Sequence, residues 1–432
     1  MTDSDKPQSA AAPEQQMQSF LAELPADARP MAMQLYSRLS TEQKSAAQSF
    51  LAQAQSYLGL KETKKLLELV RLQIAPAFAG PRRVCIVGPV NTGKSSLYNA
   101  LLTTKDNRAA VSSIPGTTRE AQEGSAGILA IVDTPGADDV EVGLEGEQAG
   151  ARRREVALDA AAQGDLLVIV FDASVGITRG ALDVYHDMIA LGKPYVVALN
   201  KIDLVRKEQA KVVELAARNL GLEAEQIIPV SALHGTNLER LVVAIARANP
   251  ELLATLGALL PAYRSRLAAE QISAAAGAAG TVNLATAPIP IPFASFIPLT
   301  AIQAGLVLSL ARLYGHRLDL NRAKELVATF GVGFGARTLF QQLITKVPGP
   351  GWLFGTALAA ATTAAIGWAA QLWFERGERL TNEAMRDLVQ QGTTRVAEQL
   401  RVFGKRPADA QLSAGIDLAL QDMQAHDARE KQ

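Results

Sequence analysis

The chain has 432 residues, enough for two or three domains with cores of their own, and carries 43 basic against 43 acidic residues. That balance argues against nucleic acid as the partner, because phosphate contacts need a basic surplus. The one cysteine, Cys85, excludes an intramolecular disulfide and fits a reducing compartment; within an apolar run it reads as a small buried hydrophobe.

Residues 1–28, rich in Ala, Gln, Ser, Pro and acid, read as a mobile tail, with no basic segment leading into an apolar run and hence no secretory signal. Over 29–79, Phe50, Leu51, Ala54, Tyr57 and Leu58, then Leu66, Leu67, Val70 and Ile74, recur at helical spacing. They predict a helical lead-in ending near Pro76 and Gly80. From 80 to 255 short apolar runs (84–88, 128–132, 166–171, 195–199 and 227–230) alternate with helical segments. Such alternation predicts an α/β fold, a mainly parallel sheet covered by helices on both faces. Beyond that, 256–432 turns to Ala-rich apolar helices and predicts an all-α domain.

Gly88-Pro89-Val90-Asn91-Thr92-Gly93-Lys94-Ser95 fits G-x-x-x-x-G-K-[ST], after a predicted strand and before a helix beginning at Ser96. Glycines let backbone N–H groups curl around a phosphate, and the helix N-terminus adds a favourable dipole. Lys94 would bridge two phosphates and the Ser95 hydroxyl would complete a Mg²⁺ shell. A lone match could be a glycine turn; the strand before and helix after tell against that.

Asp133-Thr134-Pro135-Gly136 follows the 128–132 run, where Asp133 can hold Mg²⁺ through water and the Gly136 N–H can reach a γ-phosphate. Asn200-Lys201-Ile202-Asp203 follows the 195–199 run. The Asp203 carboxylate, an acceptor only, suits the paired donors of a guanine edge, which adenine lacks. Asn200 and Lys201 would brace base and phosphate loop. Ser231-Ala232, after the last run, would place a backbone N–H on the guanine oxygen. Each tetrapeptide alone is an ordinary turn; their order is the signal.

These motifs, with Pro115-Gly116-Thr117-Thr118-Arg119, resemble the translation-factor-related GTPases of the Era, EngA and MnmE group. The resemblance implies a Ras-like P-loop NTPase fold, Mg²⁺-dependent hydrolysis of GTP to GDP, a switch cycle, and scope for G-domain self-association. Carried over by motif, the nucleotide contacts are Gly88, Asn91, Thr92, Gly93, Lys94, Ser95, Ser96, Thr117, Thr118, Asp133, Gly136, Asn200, Lys201, Asp203, Ser231 and Ala232. The metal ligands are Ser95, Asp133 and Thr118, with Thr117 as second choice for the switch hydroxyl. Catalysis falls to Lys94, Thr118, Gly136 and Asn91. Ala137 stands where Ras-type enzymes keep a water-orienting Gln. Some members of the group hold K⁺ through a phosphate-loop Asn at the place of Asn91, yet here the local order is Pro-Val-Asn, so K⁺ use and a structural Asn91 stay open side by side. The run Arg152-Arg153-Arg154 after a Gly-rich acidic stretch could supply a charge-stabilising arginine or simply a solvated helix start.

Two stretches without charge, Gln271 to Ala311 and Val347 to Phe374, approach bilayer length, and Trp352, Trp368 and Trp373 could sit near an interface. Residues 282–318 resemble the YcjF-related domain of unknown function, which is linked to the bacterial inner membrane. The expectation is therefore a cytoplasmic protein at the inner face of the bacterial plasma membrane, associated through 271–374. The competing expectation is a soluble bundle whose second run is a core helix. Two crossing helices would put the basic connector between them outside, against the positive-inside rule, so a dipping hairpin or interfacial association fits better. The functional alternatives are a soluble GTPase in ribosome or RNA maturation and a GTP-dependent assembly module with negligible turnover.

Overall fold

The computed structural model describes residues 29–37, 41–102, 129–133, 154–287, 296–318, 351–377, 381–402 and 411–420, with a few isolated positions besides. The chain forms two compact units, one of Gly80–Ala268 with Leu313–Gly315, the other of Met1–Ala79, Ala269–Arg312 and His316–Gln432. The lead-in at 29–79 thus falls in one unit with the C-terminal helices.

The first unit is built on a five-stranded sheet: β1 (Val84–Gly88), β2 (Leu129–Asp133), β3 (Leu166–Asp172), β4 (Tyr195–Asn200) and β5 (Ile227–Pro229), in the order β2-β1-β3-β4-β5. Every described pair is parallel, as the sequence pattern predicts. All residues of β1 and β3 are buried, which is why these strands read as unbroken apolar runs rather than alternating ones. Helices α1 and α2 (Arg29–Ser37 and Thr41–Phe78) belong to the other unit; the helices of this one are α3 (Lys94–Leu102), α4 (154–162), α5 (Arg179–Ala190), α6 (Gln209–Leu220), α7 (Leu238–Ala248) and α8 (Leu253–Leu259). Cys85 is fully buried as expected, with its Sγ against the Ala160 carbonyl, and burial pushes its thiol up.

Strand ends lie further along than the apolar runs suggest. Asp133, Asp172 and Asn200 are the last residues of β2, β3 and β4, and Lys94 rather than Ser96 opens α3. The ladder pairs Gly88 with Asp133 and Asp172 with Asn200, so parallel register alone delivers polar groups to one end of the sheet. In open parallel sheets that carboxyl end is where ligands sit.

The second unit contains α9 (Arg264–Thr286, beginning in the first unit), α10 (Phe296–Leu313), α11 (Gly351–Arg376), α12 (Asn382–Arg401) and a helix over 411–420. Helices meet here at small residues: a Cβ on Gly367 would come within 2.6 Å of Ile272 and 3.0 Å of Leu306. Buried Gln303 on α10 donates to Thr363 on α11 at 3.2 Å. Among the described residues α11 is the one helix long and apolar enough to span a bilayer, over Leu353–Arg376, with mean hydropathy 1.4. Its apolar window is 94% buried inside the protein, so its surface is already taken by neighbouring helices.

Ala361 and Ile366 lie in that core, 1% and 6% exposed. Ala361→Asp should therefore unfold the helical unit, costing roughly 3–5 kcal/mol for an unpaired buried charge. Thermal melting of the full chain should lose one transition while the sheet unit's remains. An unchanged melt would mean that α11 can meet solvent or lipid.

Candidate functional site

The loop after β1 is shaped by one close approach. Gly88 has φ of 142°, and a Cβ there would fall 2.3 Å from the Val170 carbonyl oxygen of β3. The chain then turns through Asn91, left-handed at φ 63°, a conformation that Asn tolerates better than most residues. Inside the turn the Thr92 hydroxyl donates to the Pro89 carbonyl at 3.0 Å. Lys94, 4% exposed, donates through Nζ to the Gly88 and Pro89 carbonyls at 2.8 and 2.7 Å. Its ammonium is thus held at the mouth of the loop, where the α3 N-terminus adds its positive end. Ser95 and Ser96, in the first turn of α3, are exposed.

Three further loops converge on this one from the ends of β3, β4 and β5. Asn200, 2% exposed, donates from Nδ2 to the Thr92 carbonyl at 2.9 Å and accepts the Ala232 N–H on Oδ1 at 3.0 Å. Lys201, left-handed at φ 63°, donates from Nζ to the Asn91 carbonyl and to Asp172, each at 2.6 Å. Ser231, fully buried, donates to Asp203 Oδ1 at 2.5 Å and receives the His234 N–H at 3.2 Å. A bridge between Ser231 and Thr236 closes that loop.

The Ser231 hydrogen bond, aided by His234 and Arg206 nearby, holds the Asp203 carboxyl below its usual range. Asp203 stays an ionised acceptor with one oxygen turned to Ser231 and the other 3.9 Å from His234 Nε2. For Asp172 burial pushes upward, but the Lys201 and Ser174 hydrogen bonds outweigh it and leave the group below its usual range.

The structure therefore brings Gly88, Asn91, Thr92, Lys94, Asn200, Lys201, Asp203, Ser231 and Ala232 into one hydrogen-bonded system, with Gly93 beside Asn200. Asp133 ends β2 opposite Gly88 by its backbone register. Thr117, Thr118, Gly136 and Ala137, and Arg152 and Arg153, lie outside the described residues. Arg154 is described. Its Nε donates to Asp187 at 2.5 Å, in the last turn of α5. The guanidinium is held in this exposed pair. Sequence reasoning missed Asp172 and Ser174; the available signal was a carboxylate ending the β3 run at the level of Asn200.

Comparison with known proteins agrees with this geometry. Residues 83–201 match the family model described as 50S ribosome-binding GTPase. GTPase Der of Solidesulfovibrio magneticus is 36% identical over 176 residues, 40% of this chain and 37% of that protein. The tRNA modification GTPase MnmE of Aquifex aeolicus is 37% identical over 164 residues, 37% of this chain and 32% of that protein. This chain thus spans about a third of the length of the curated relatives it matches. A solved structure of an Aquifex aeolicus Era variant bound to GDP.AlF4- aligns at 26% identity over 45% of this chain and 66% of that one, with a TM-score of 0.30. Residues 83–201 are therefore similar to the GTPase domains of Der and MnmE.

Proposed function

We propose that the sheet unit binds a guanine nucleotide with Mg²⁺ and hydrolyses GTP to GDP and phosphate, its nucleotide state being passed to the helical unit. One observation carries this reading: the buried Asn200 amide joins the phosphate loop at Thr92 to the Ala232 amide, beside an ionised Asp203. Phosphate sensing and base sensing then share one rigid bracket.

In this reading the loop amides and Lys94 cradle the β- and γ-phosphates, Asp203 accepts the guanine donor pair, and Ala232 N–H meets the guanine oxygen. The residues fit a Mg²⁺ ion, because Ser95 offers an exposed hydroxyl at the start of α3 and Asp133 a carboxylate at the end of the adjacent strand, hard oxygen donors both. The ion would neutralise charge between the phosphates, and Thr118 would add a switch hydroxyl to its shell. Lys94 stabilises charge as it builds on the leaving oxygens, and the Gly136 N–H holds a γ-oxygen while water attacks phosphorus in line. Ala137 orients no water, so acceleration has another source. Asn91, exposed and left-handed in the loop, supports K⁺ as that source.

Asp203→Asn should lower GTP affinity by on the order of 100-fold and favour xanthosine nucleotides, while Lys94→Ala should abolish tight Mg²⁺·GTP binding with the fold intact. Competition binding reads both, and wild-type protein taking ATP equally well would overturn the assignment. Phosphate release should be faster in K⁺ than in Na⁺. Equal rates would remove K⁺, and no release in either would leave a nucleotide-dependent assembly module.

We also propose that the helical unit contacts the inner face of a bacterial plasma membrane, supported by the uncharged run from Gln271 to Ala311. A second reading, work on ribosomes or RNA, draws on the match to a 50S ribosome-binding GTPase family and on the MnmE relatives. Full-length protein should sediment partly with membranes and need detergent rather than salt for release. Co-sedimentation with ribosomes, and none with membranes, would favour the second reading.

A further inference from the structure

We infer that Asp172 is a positioning residue that sets how long a guanine nucleotide stays bound, acting through Lys201; this rests on the reading of the site given above. The carboxylate is 8% exposed and both its oxygens are occupied. Oδ1 accepts from the Ser174 N–H at 2.8 Å and the Ser174 hydroxyl at 2.6 Å, and Oδ2 accepts from Lys201 Nζ at 2.6 Å. Three of its roughly four acceptor sites are thus taken inside the protein, and the carboxylate is buried, so it is a poor direct partner for a ligand. Whatever it does passes through the ammonium it holds.

That ammonium has a second partner, the Asn91 carbonyl of the phosphate loop, at 2.6 Å. Asn91 and Lys201 both have φ of 63°, a backbone conformation that L-residues adopt at a cost, and the Lys201 side chain joins the two. Asp172 enters from β3, where parallel register sets it opposite Asn200, one residue before Lys201. The Ser174 turn fixes the carboxylate, the carboxylate fixes Nζ, and Nζ fixes the loop carbonyl. A lysine stem is long and freely rotating, so an anchored head removes conformational freedom before any ligand arrives. The stem then runs beside the phosphate loop, its Cε 3.8 Å from where a Cβ on Gly93 would stand. Because the chain of contacts ends on the loop backbone rather than on a γ-phosphate, it acts on GDP and GTP alike.

The sign of the effect separates positioning from simple field. A carboxylate near phosphates repels them, so neutralising it by field alone would slow nucleotide release. Positioning predicts the opposite. Asp172→Asn puts an amide where the carboxylate held Nζ, loses a charge-assisted hydrogen bond, and should speed GDP release about tenfold with little change in association.

The experiment is displacement of fluorescently labelled GDP from the full chain, in wild type, Asp172→Asn, Lys201→Gln and the double variant, with thermal melting in parallel. The expected result is faster release of GDP and GTP to the same degree in Asp172→Asn, and less than about twofold further change when it is added to Lys201→Gln. Asp172→Glu should restore part of the lifetime. If Asp172→Asn does not fold, Ser174→Ala loosens the same carboxylate and should give a smaller rise that also vanishes on the Lys201→Gln background. Slower or unchanged release, or an effect undiminished in the double variant, overturns the inference while leaving guanine binding in place. Wild-type protein that binds no guanine nucleotide overturns both.

Discussion

A single side-chain amide, that of Asn200, sets the geometry on which the rest of the site depends. It donates to Thr92 in one loop and accepts from Ala232 in another, and at 2% exposure the side chain itself is shielded from water. Only a group with a donor and an acceptor a fixed distance apart can do this. A carboxylate would face the Thr92 carbonyl with no proton, and an aliphatic residue would leave two buried backbone groups unsatisfied. The amide reaches both loops because Asn200 ends β4 between β3 and β5, with its neighbours fixed by the ladder.

Charges around that bracket are paired before a ligand enters. Lys94 rests on two carbonyls, Lys201 on a carbonyl and Asp172, and Asp203 on a serine hydroxyl. None of these is a strong buried ion pair at risk of outweighing its own desolvation, since each cation keeps at least one neutral acceptor. A site prepared in this way loses little order on binding, which favours affinity. The arginine side shows the contrast: Arg154 is held by Asp187 on the flank of α5, outside this arrangement.

Much of this was legible in the sequence because parallel strands buried on both faces are written as unbroken apolar runs. Their polar last residues were not legible. Asp133, Asp172 and Asn200 belong to strands through backbone hydrogen bonding, which hydropathy does not record. Motif spacing recovered Asp133 and Asn200, but Asp172 belongs to no phosphate or base motif. Its partner Lys201 is adjacent only through the pairing of β3 with β4. Likewise the link from Lys201 to Asn91 spans two distant motifs, and nothing in either predicts that both residues are left-handed.

In the helical unit composition alone fits two readings. A helix apolar on every side either spans a membrane or lies at the centre of a bundle, and one sequence satisfies both. In α11 the Ala, Thr and Gly residues serve close helix packing, with Gly367 against Ile272 and Leu306 and with Thr363 taking the Gln303 amide. Moving α11 into lipid would exchange one apolar environment for another, so burial of its alanines gains little either way. The buried Gln303 amide is different, because lipid offers it no acceptor while Thr363 does. The polar pairing therefore ties α11 to α10, and a membrane contact made without opening the bundle must use surface other than the apolar face of α11.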